Sequence, residues 1–187
     1  GEKLQVLLDH GVERISVNPQ TMHDDTLVTI GRAHTVQQTR EAFGLASECG
    51  MPVVNADLIA GLPDETPEDF SQTLNEVLEY GPENITLHTL AVKRSSRLKE
   101  LDENFHKKQP QVTETMLTDA KNILEAAGYR PYYLYRQKNI AGSTENIGYC
   151  KDDTLSLYNV RIMEEAQSII ALGAGGITKV YYPEENR

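Results

Sequence analysis

The apolar positions of this chain repeat one unit: a stretch with helical spacing, a glycine, then a run with strand character. Leu4, Leu7 and Leu8 share a helical face ahead of Gly11, and Val12 to Val17 follows as a strand. Val36, Thr39, Phe43 and Ala46 lead to Gly50 and the run Pro52 to Ile59. Phe70, Leu74, Val77 and Leu78 lead to Gly81 and Ile85 to Leu90. Met116, Ala120, Ile123 and Ala127 lead to Gly128 and Tyr132 to Tyr135. Each set recurs at three or four residues, the spacing of one helix face. Each glycine falls where a helix would end in left-handed backbone, which costs least without a Cβ.

Helix starts are also written into the chain. Thr66-Pro67-Glu68-Asp69 supplies a capping hydroxyl, a proline at the first helical position, and acids against the positive helix end. Thr113-Glu114 predicts a weaker start of the same kind. Strands alternating with helices of this length predict parallel β/α units. A closed eight-unit barrel takes about 250 residues. Here 187 residues carry three clear units and an irregular remainder, which predicts an α/β fold that is an open sheet or part of a barrel. Lys93 to Gln109 reads as a long polar excursion, and Gln137 to Tyr158, rich in Gly, Asn, Ser and Asp, as irregular chain able to wrap over a site.

Composition narrows the partners. A net charge of −10 disfavours nucleic acid and anionic membrane surfaces. No apolar run approaches the roughly 18 residues that span a bilayer, and no signal peptide opens the chain, so a cytoplasmic protein is expected. Gly1 leads straight into a helical pattern, as expected of a segment cut from a longer chain. Cys49 and Cys150 match no metal spacing and read as two reduced thiols. The five histidines have no metal-pair spacing on one helix, so no metal site is expected. Ala171 to Gly176 is glycine-rich but lacks the dinucleotide fingerprint, and predicts a tight turn.

In parallel β/α folds ligands bind at the carboxyl ends of the strands. Asn18-Pro19-Gln20, Asn55 and Asp57 with the turn Ala60-Gly61-Leu62-Pro63, and His88-Thr89 occupy those places. Asp57 interrupts an apolar strand, where an ionised carboxylate costs several kcal/mol unless it is paired. Two ribose hydroxyls would satisfy it, and so would Arg14, Arg32 or a backbone turn. Gln20, held by Pro19 in an extended end-of-strand turn, has an amide suited to a sugar edge. The Arg32 guanidinium suits a carboxylate, including that of an amino acid, or is an ordinary surface arginine. His88 also interrupts an apolar strand, where a histidine is commonly hydrogen-bonded in the core.

Three segments carry a resemblance. Gly11 to Met22 (GVERISVNPQTM), Leu27 to His34 with Gly31-Arg32-Ala33-His34, and Asn55 to Thr66 (NADLIAGLPDET) resemble, in order and spacing, the oxygen-independent coproporphyrinogen III oxidases of the radical S-adenosylmethionine (SAM) type. Tyr133 to Asn139 and Ile169 to Gly176 are most similar to the branch called anaerobic coproporphyrinogen dehydrogenase. The resemblance implies a partial (β/α) barrel, with residues 1–110 as its C-terminal half and 111–187 as the last helix–strand unit and a C-terminal extension. It implies a [4Fe-4S] cluster that reduces SAM to a 5′-deoxyadenosyl radical, which begins conversion of porphyrinogen propionates to vinyl groups in haem biosynthesis. It implies that Gln20 and Asp57 hold the SAM ribose hydroxyls, that Arg32 holds the methionine carboxylate, and that Ile59 packs against adenine. Arg136 and Lys138 become candidates for the propionates of coproporphyrinogen III.

The family's CxxxCxxC motif is not in this sequence, which holds two cysteines in all. The cluster would therefore belong to a missing N-terminal half of the barrel, and this chain alone is expected to be inactive. Its first strand is expected to present an open edge able to pair with another copy. Two other readings are a haem-carrying chaperone of the same superfamily, which shares most of these motifs, and a cluster-free β/α binding domain.

Overall fold

The Thr66 hydroxyl accepts a hydrogen bond from the Asp69 amide at 3.2 Å, and the Asp69 carboxylate accepts from the Thr66 amide at 2.9 Å. With Pro67 behind it, this capping box starts α4 (Pro67–Glu79) where the sequence predicts. Thr35 and Gln38 form a second box that starts α3 (Val36–Glu48). Gly50 and Gly81 close these two helices with left-handed backbone, at φ +68° and +65°.

The computed structural model describes residues 1–91, 110–135, 145–173 and 175–184. In chain order the elements are α1 (Glu2–Asp9), β1 (Arg14–Gln20), α2 (Asp24–Thr29), α3, β2 (Val53–Ala60), α4, β3 (Asn84–Thr89), α5 (Pro110–Ala126), β4 (Arg130–Tyr135), β5 (Asn146–Cys150) and α6 (Leu157–Glu164). The predicted excursion Lys93 to Gln109 lies outside the described residues.

The strands form one sheet in the order β1-β2-β3-β5-β4. The first three are parallel, as three consecutive β/α units require. Beyond them the sequence reading needs correction. The stretch 137–158 is not irregular throughout, because 146–150 form β5, antiparallel to both β3 and β4. β4 is thereby separated from β3 by an inserted strand. Tyr149, only 2% exposed, anchors the insertion in the core. The helix expected to start at Thr113 already runs from Pro110, and Thr113 is buried within it. Thr113 packs there against the turn after β2: a Cβ on Gly61 would stand 2.7 Å from its Oγ1.

Alternation along the strands divides the sheet into two faces. Val54, Ala56, Leu58 and Ala60 of β2, Ile85 and Leu87 of β3, and Tyr149 of β5 join Phe43, Phe70, Leu74, Met116 and Leu124 of the helices in one core. The residues between them face the other way. Ser16 pairs with Asn55, Asn55 with Asn84, Asp57 with Thr86, and Ile59 with His88. Across β5, Gly148 pairs with both Thr86 and Tyr133. This second face is polar and is the one a barrel would enclose. β1 ends the sheet, so the expected open edge is present among the described residues.

Candidate functional site

The polar face is wired together across four strands. Nδ2 of Asn55 lies 2.8 Å from Asp57 Oδ1 and 3.3 Å from Ser16 Oγ. Thr86 Oγ1 donates to Asn55 Oδ1 at 3.2 Å. His88 Nε2 approaches Asp57 Oδ1 at 3.6 Å, an ion-pair distance. On its other side, His88 Nδ1 lies 3.2 Å from the Tyr135 hydroxyl. The Tyr135 ring stacks on that of Tyr133, with centroids 6.2 Å apart and planes 6° from parallel. Tyr133 and Tyr135 share the face because they are two residues apart on β4.

This answers how the Asp57 charge is tolerated. Its partners are Asn55 and His88, and not the arginines that the sequence offered. Arg14 is engaged elsewhere, with the Asn84 side chain and, at 2.5 Å, the Thr154 carbonyl. Burial alone would raise the Asp57 pKa. Hydrogen bonds from His88 and Asn55, the His88 charge and Thr86 together prevail and hold the carboxyl below its ordinary value. At neutral pH Asp57 is therefore a carboxylate, able only to accept hydrogen bonds.

Arg32 follows α2, held by the bond from its amide to the Leu27 carbonyl at 2.9 Å. With Ile30, Ile59, Leu62 and Leu90 it lines a cavity of about 320 Å³. Such a volume stands at the low end of small-ligand pockets, about 300–1,000 Å³. An exposed guanidinium thus meets an apolar wall that includes Ile59, two residues beyond Asp57 on the same strand. Gln20 sits opposite Leu58, after a bulge in β1. It is not the extended residue expected after Pro19. Its backbone is left-handed at φ +68°, its amide donates to the Asn18 carbonyl at 3.3 Å, and it is buried. The structure joins Arg32 to Ile59 in one cavity and Asp57 to His88. Gln20 has no direct bond to the others among the contacts observed.

One group escaped the sequence reading. Glu65 is buried and accepts a hydrogen bond from Thr21 Oγ1 at 2.6 Å, while Thr73 Oγ1 accepts from the Met22 amide at 3.1 Å. These bonds tie the loop after β1 to the loop after β2 and to α4. Burial raises the Glu65 pKa, against the opposing bonds from Thr21 and Thr26. A carboxylate inside a loop motif carries no periodic signal that would announce its burial. Tyr133, Thr86 and Asn55 were legible in principle, as polar residues at every second position of their strands.

Arg136 and Lys138 lie outside the described residues. No group of three or more His, Cys, Asp or Glu side chains able to hold a metal occurs among the described residues, and Cys49 and Cys150 are free thiols. The residues present fit one flank of a SAM site, with a carboxylate, a guanidinium and an apolar wall. They do not fit an iron–sulfur cluster. No helix among the described residues is long and apolar enough to cross a membrane.

The sequence model of the radical SAM superfamily matches residues 1–77. The oxygen-independent coproporphyrinogen-III oxidase-like protein HemZ of Bacillus subtilis is 45% identical over 181 residues, 95% of this chain and 36% of its own length. The heme chaperone HemW of Haemophilus influenzae is 24% identical over 187 residues, 97% of this chain and 44% of its own. This chain therefore spans less than half of either relative. Among solved structures, coproporphyrinogen III oxidase (HemN) of Escherichia coli, described as a radical SAM enzyme, superposes with a TM-score of 0.61 at 22% identity. That match covers 89% of this chain and 36% of the other, and shows a shared fold.

Proposed function

From the match of residues 1–77 to the model of the radical SAM superfamily, we propose that this chain is the C-terminal half of the barrel of an oxygen-independent coproporphyrinogen III oxidase or dehydrogenase. Residues 1–110 then form barrel, and 111–187 the last unit and extension. In that assignment Asp57 and Gln20 bind the ribose hydroxyls of SAM, Arg32 its methionine carboxylate, and Ile59 lies against adenine. SAM with a [4Fe-4S] cluster supplies the radical chemistry that oxidatively decarboxylates porphyrinogen propionates to vinyl groups. The cluster ligands belong to an N-terminal half of the barrel, and this chain by itself is inactive. Arg136 and Lys138 serve the substrate's propionates. The exposed edge of β1 is covered by the N-terminal half or by a second copy, and the protein works in the cytoplasm.

The observation that carries this reading is the cavity shared by Arg32 and Ile59 at the end of β2, with the ionised Asp57 two residues back along the same strand. This chain's residues bind and orient: the carboxylate accepts from a diol, the guanidinium grips a carboxylate, and the apolar wall excludes water. Calorimetric titration of SAM into the wild-type chain and Asp57→Ala tests it. Binding that the substitution abolishes supports the assignment, and equal affinity for both removes Asp57 from it.

The similarity to the heme chaperone HemW over 97% of this chain favours a second reading, haem carriage in the same superfamily. Titration of the intact protein with haem, followed by its visible absorption, separates the two. Stoichiometric haem binding without porphyrinogen turnover selects the chaperone.

A further inference from the structure

We infer that His88 is a positioning residue which, locked by Tyr135, fixes the Asp57 carboxylate for recognition of the ribose diol. The inference rests on the SAM assignment of Asp57 above.

His88 lies on β3 opposite Ile59, and Asp57 lies opposite Thr86, so the two side chains are diagonal neighbours on the polar face. Each ring nitrogen faces a different partner: Nδ1 the Tyr135 hydroxyl at 3.2 Å, Nε2 the Asp57 carboxylate at 3.6 Å. An ionised carboxylate can only accept, so the nitrogen facing it must carry a proton. The phenol hydroxyl, which can donate or accept, holds the other nitrogen. Tyr135 and Asp57 thus hold the two nitrogens of one ring from opposite sides. Separations like that at Nε2 commonly tighten when a site is filled.

Tyr135 is in turn held in place. It stacks on Tyr133, and Tyr133 occupies the space above Gly148 that any side chain there would fill. The order Gly148, Tyr133, Tyr135, His88, Asp57 is one continuous set of contacts across β5, β4, β3 and β2. Asn55 holds the same Asp57 oxygen from within its own strand. His88 holds it from the neighbouring strand, so the carboxylate is fixed in two directions. A group acting this way is measured by how well the site tells ribose from deoxyribose, a quantity that loss of general stability does not move.

The probes are SAM and its 2′-deoxy analogue, titrated calorimetrically into the intact protein and its variants. Wild type is expected to prefer the ribose form, and Asp57→Asn to lose that preference. His88→Leu should reduce the preference about tenfold, the scale of a hydrogen bond to a charged group. His88→Gln, which keeps a donor at similar reach, should restore most of it. Tyr135→Phe should fall between the two. An undiminished preference in folded His88→Leu overturns the inference while leaving the role of Asp57 intact. If wild type shows no preference, or Asp57→Asn keeps it, the SAM assignment fails and this inference with it. Should His88→Leu fail to fold, Tyr135→Phe decides: a wild-type preference overturns the inference, and a reduced one supports it.

Discussion

Gly148 lies beneath the ring of Tyr133: a Cβ built on the glycine would stand 1.8 Å from Tyr133 Cε1. The two residues are cross-strand partners on β5 and β4. The inserted strand therefore has its closest neighbour built around the absence of one side chain. Gly148→Ala must expel the ring or part the strands, and should cost about 1–3 kcal/mol, the usual cost of overpacking. Urea unfolding of the variant measures it. An unchanged midpoint would mean that Tyr133 moves aside freely.

Arg32 is exposed and bonded to the fold only through its backbone amide among the contacts observed. Arg32→Leu should leave thermal stability within about 0.5 kcal/mol, as at ordinary surface sites. It should weaken SAM binding about tenfold or more, as expected when a charged hydrogen-bond donor is removed. A paired melting curve and calorimetric titration check both halves. Loss of stability together with affinity would assign Arg32 a structural role instead.

Glu65 is a buried carboxyl whose pKa is raised by burial. Folding therefore favours its protonated form. The stability associated with this shift is fully present below the unfolded carboxyl pKa and is lost as pH rises through the folded value. Glu65→Gln removes the ionisation and keeps an acceptor for Thr21. The variant should be more stable than wild type at pH 8, with the advantage shrinking toward pH 4. Denaturation at four or five pH values gives the slope, and parallel curves for the two proteins would show that Glu65 does not contribute it.

The buried hydroxyl of Tyr129 donates to the Pro82 carbonyl, joining the start of β4 to the chain entering β3. Burial pushes this phenol's pKa far above its ordinary value, so it stays neutral and keeps its donor throughout the physiological range. Tyr129→Phe leaves the carbonyl without that partner and should destabilise by about 1–3 kcal/mol. Equilibrium unfolding tests this. A cost near zero would place water at the Pro82 carbonyl in the variant.

What the chain determines by itself is the set of local elements and their order. The helix–glycine–strand units, the Thr66 capping box and the polar residues at the ends of β1, β2 and β3 follow from spacings of two, three or four residues, which report local geometry directly. Asp57 stood out because a carboxylate in an apolar strand demands a partner. Which partner it takes was decided elsewhere. His88 is 31 residues away on the next strand, and only the register of β2 against β3 brings it within reach. The cavity joining Arg32 to Ile59 also needs two loops folded over one strand end. Least legible was β5, because Asn146-Ile147-Gly148-Tyr149-Cys150 reads locally as loop. Its strand conformation comes from pairing on both sides and from a Tyr133 ring that fits only over a glycine, and such non-local contacts leave no periodic trace in the sequence.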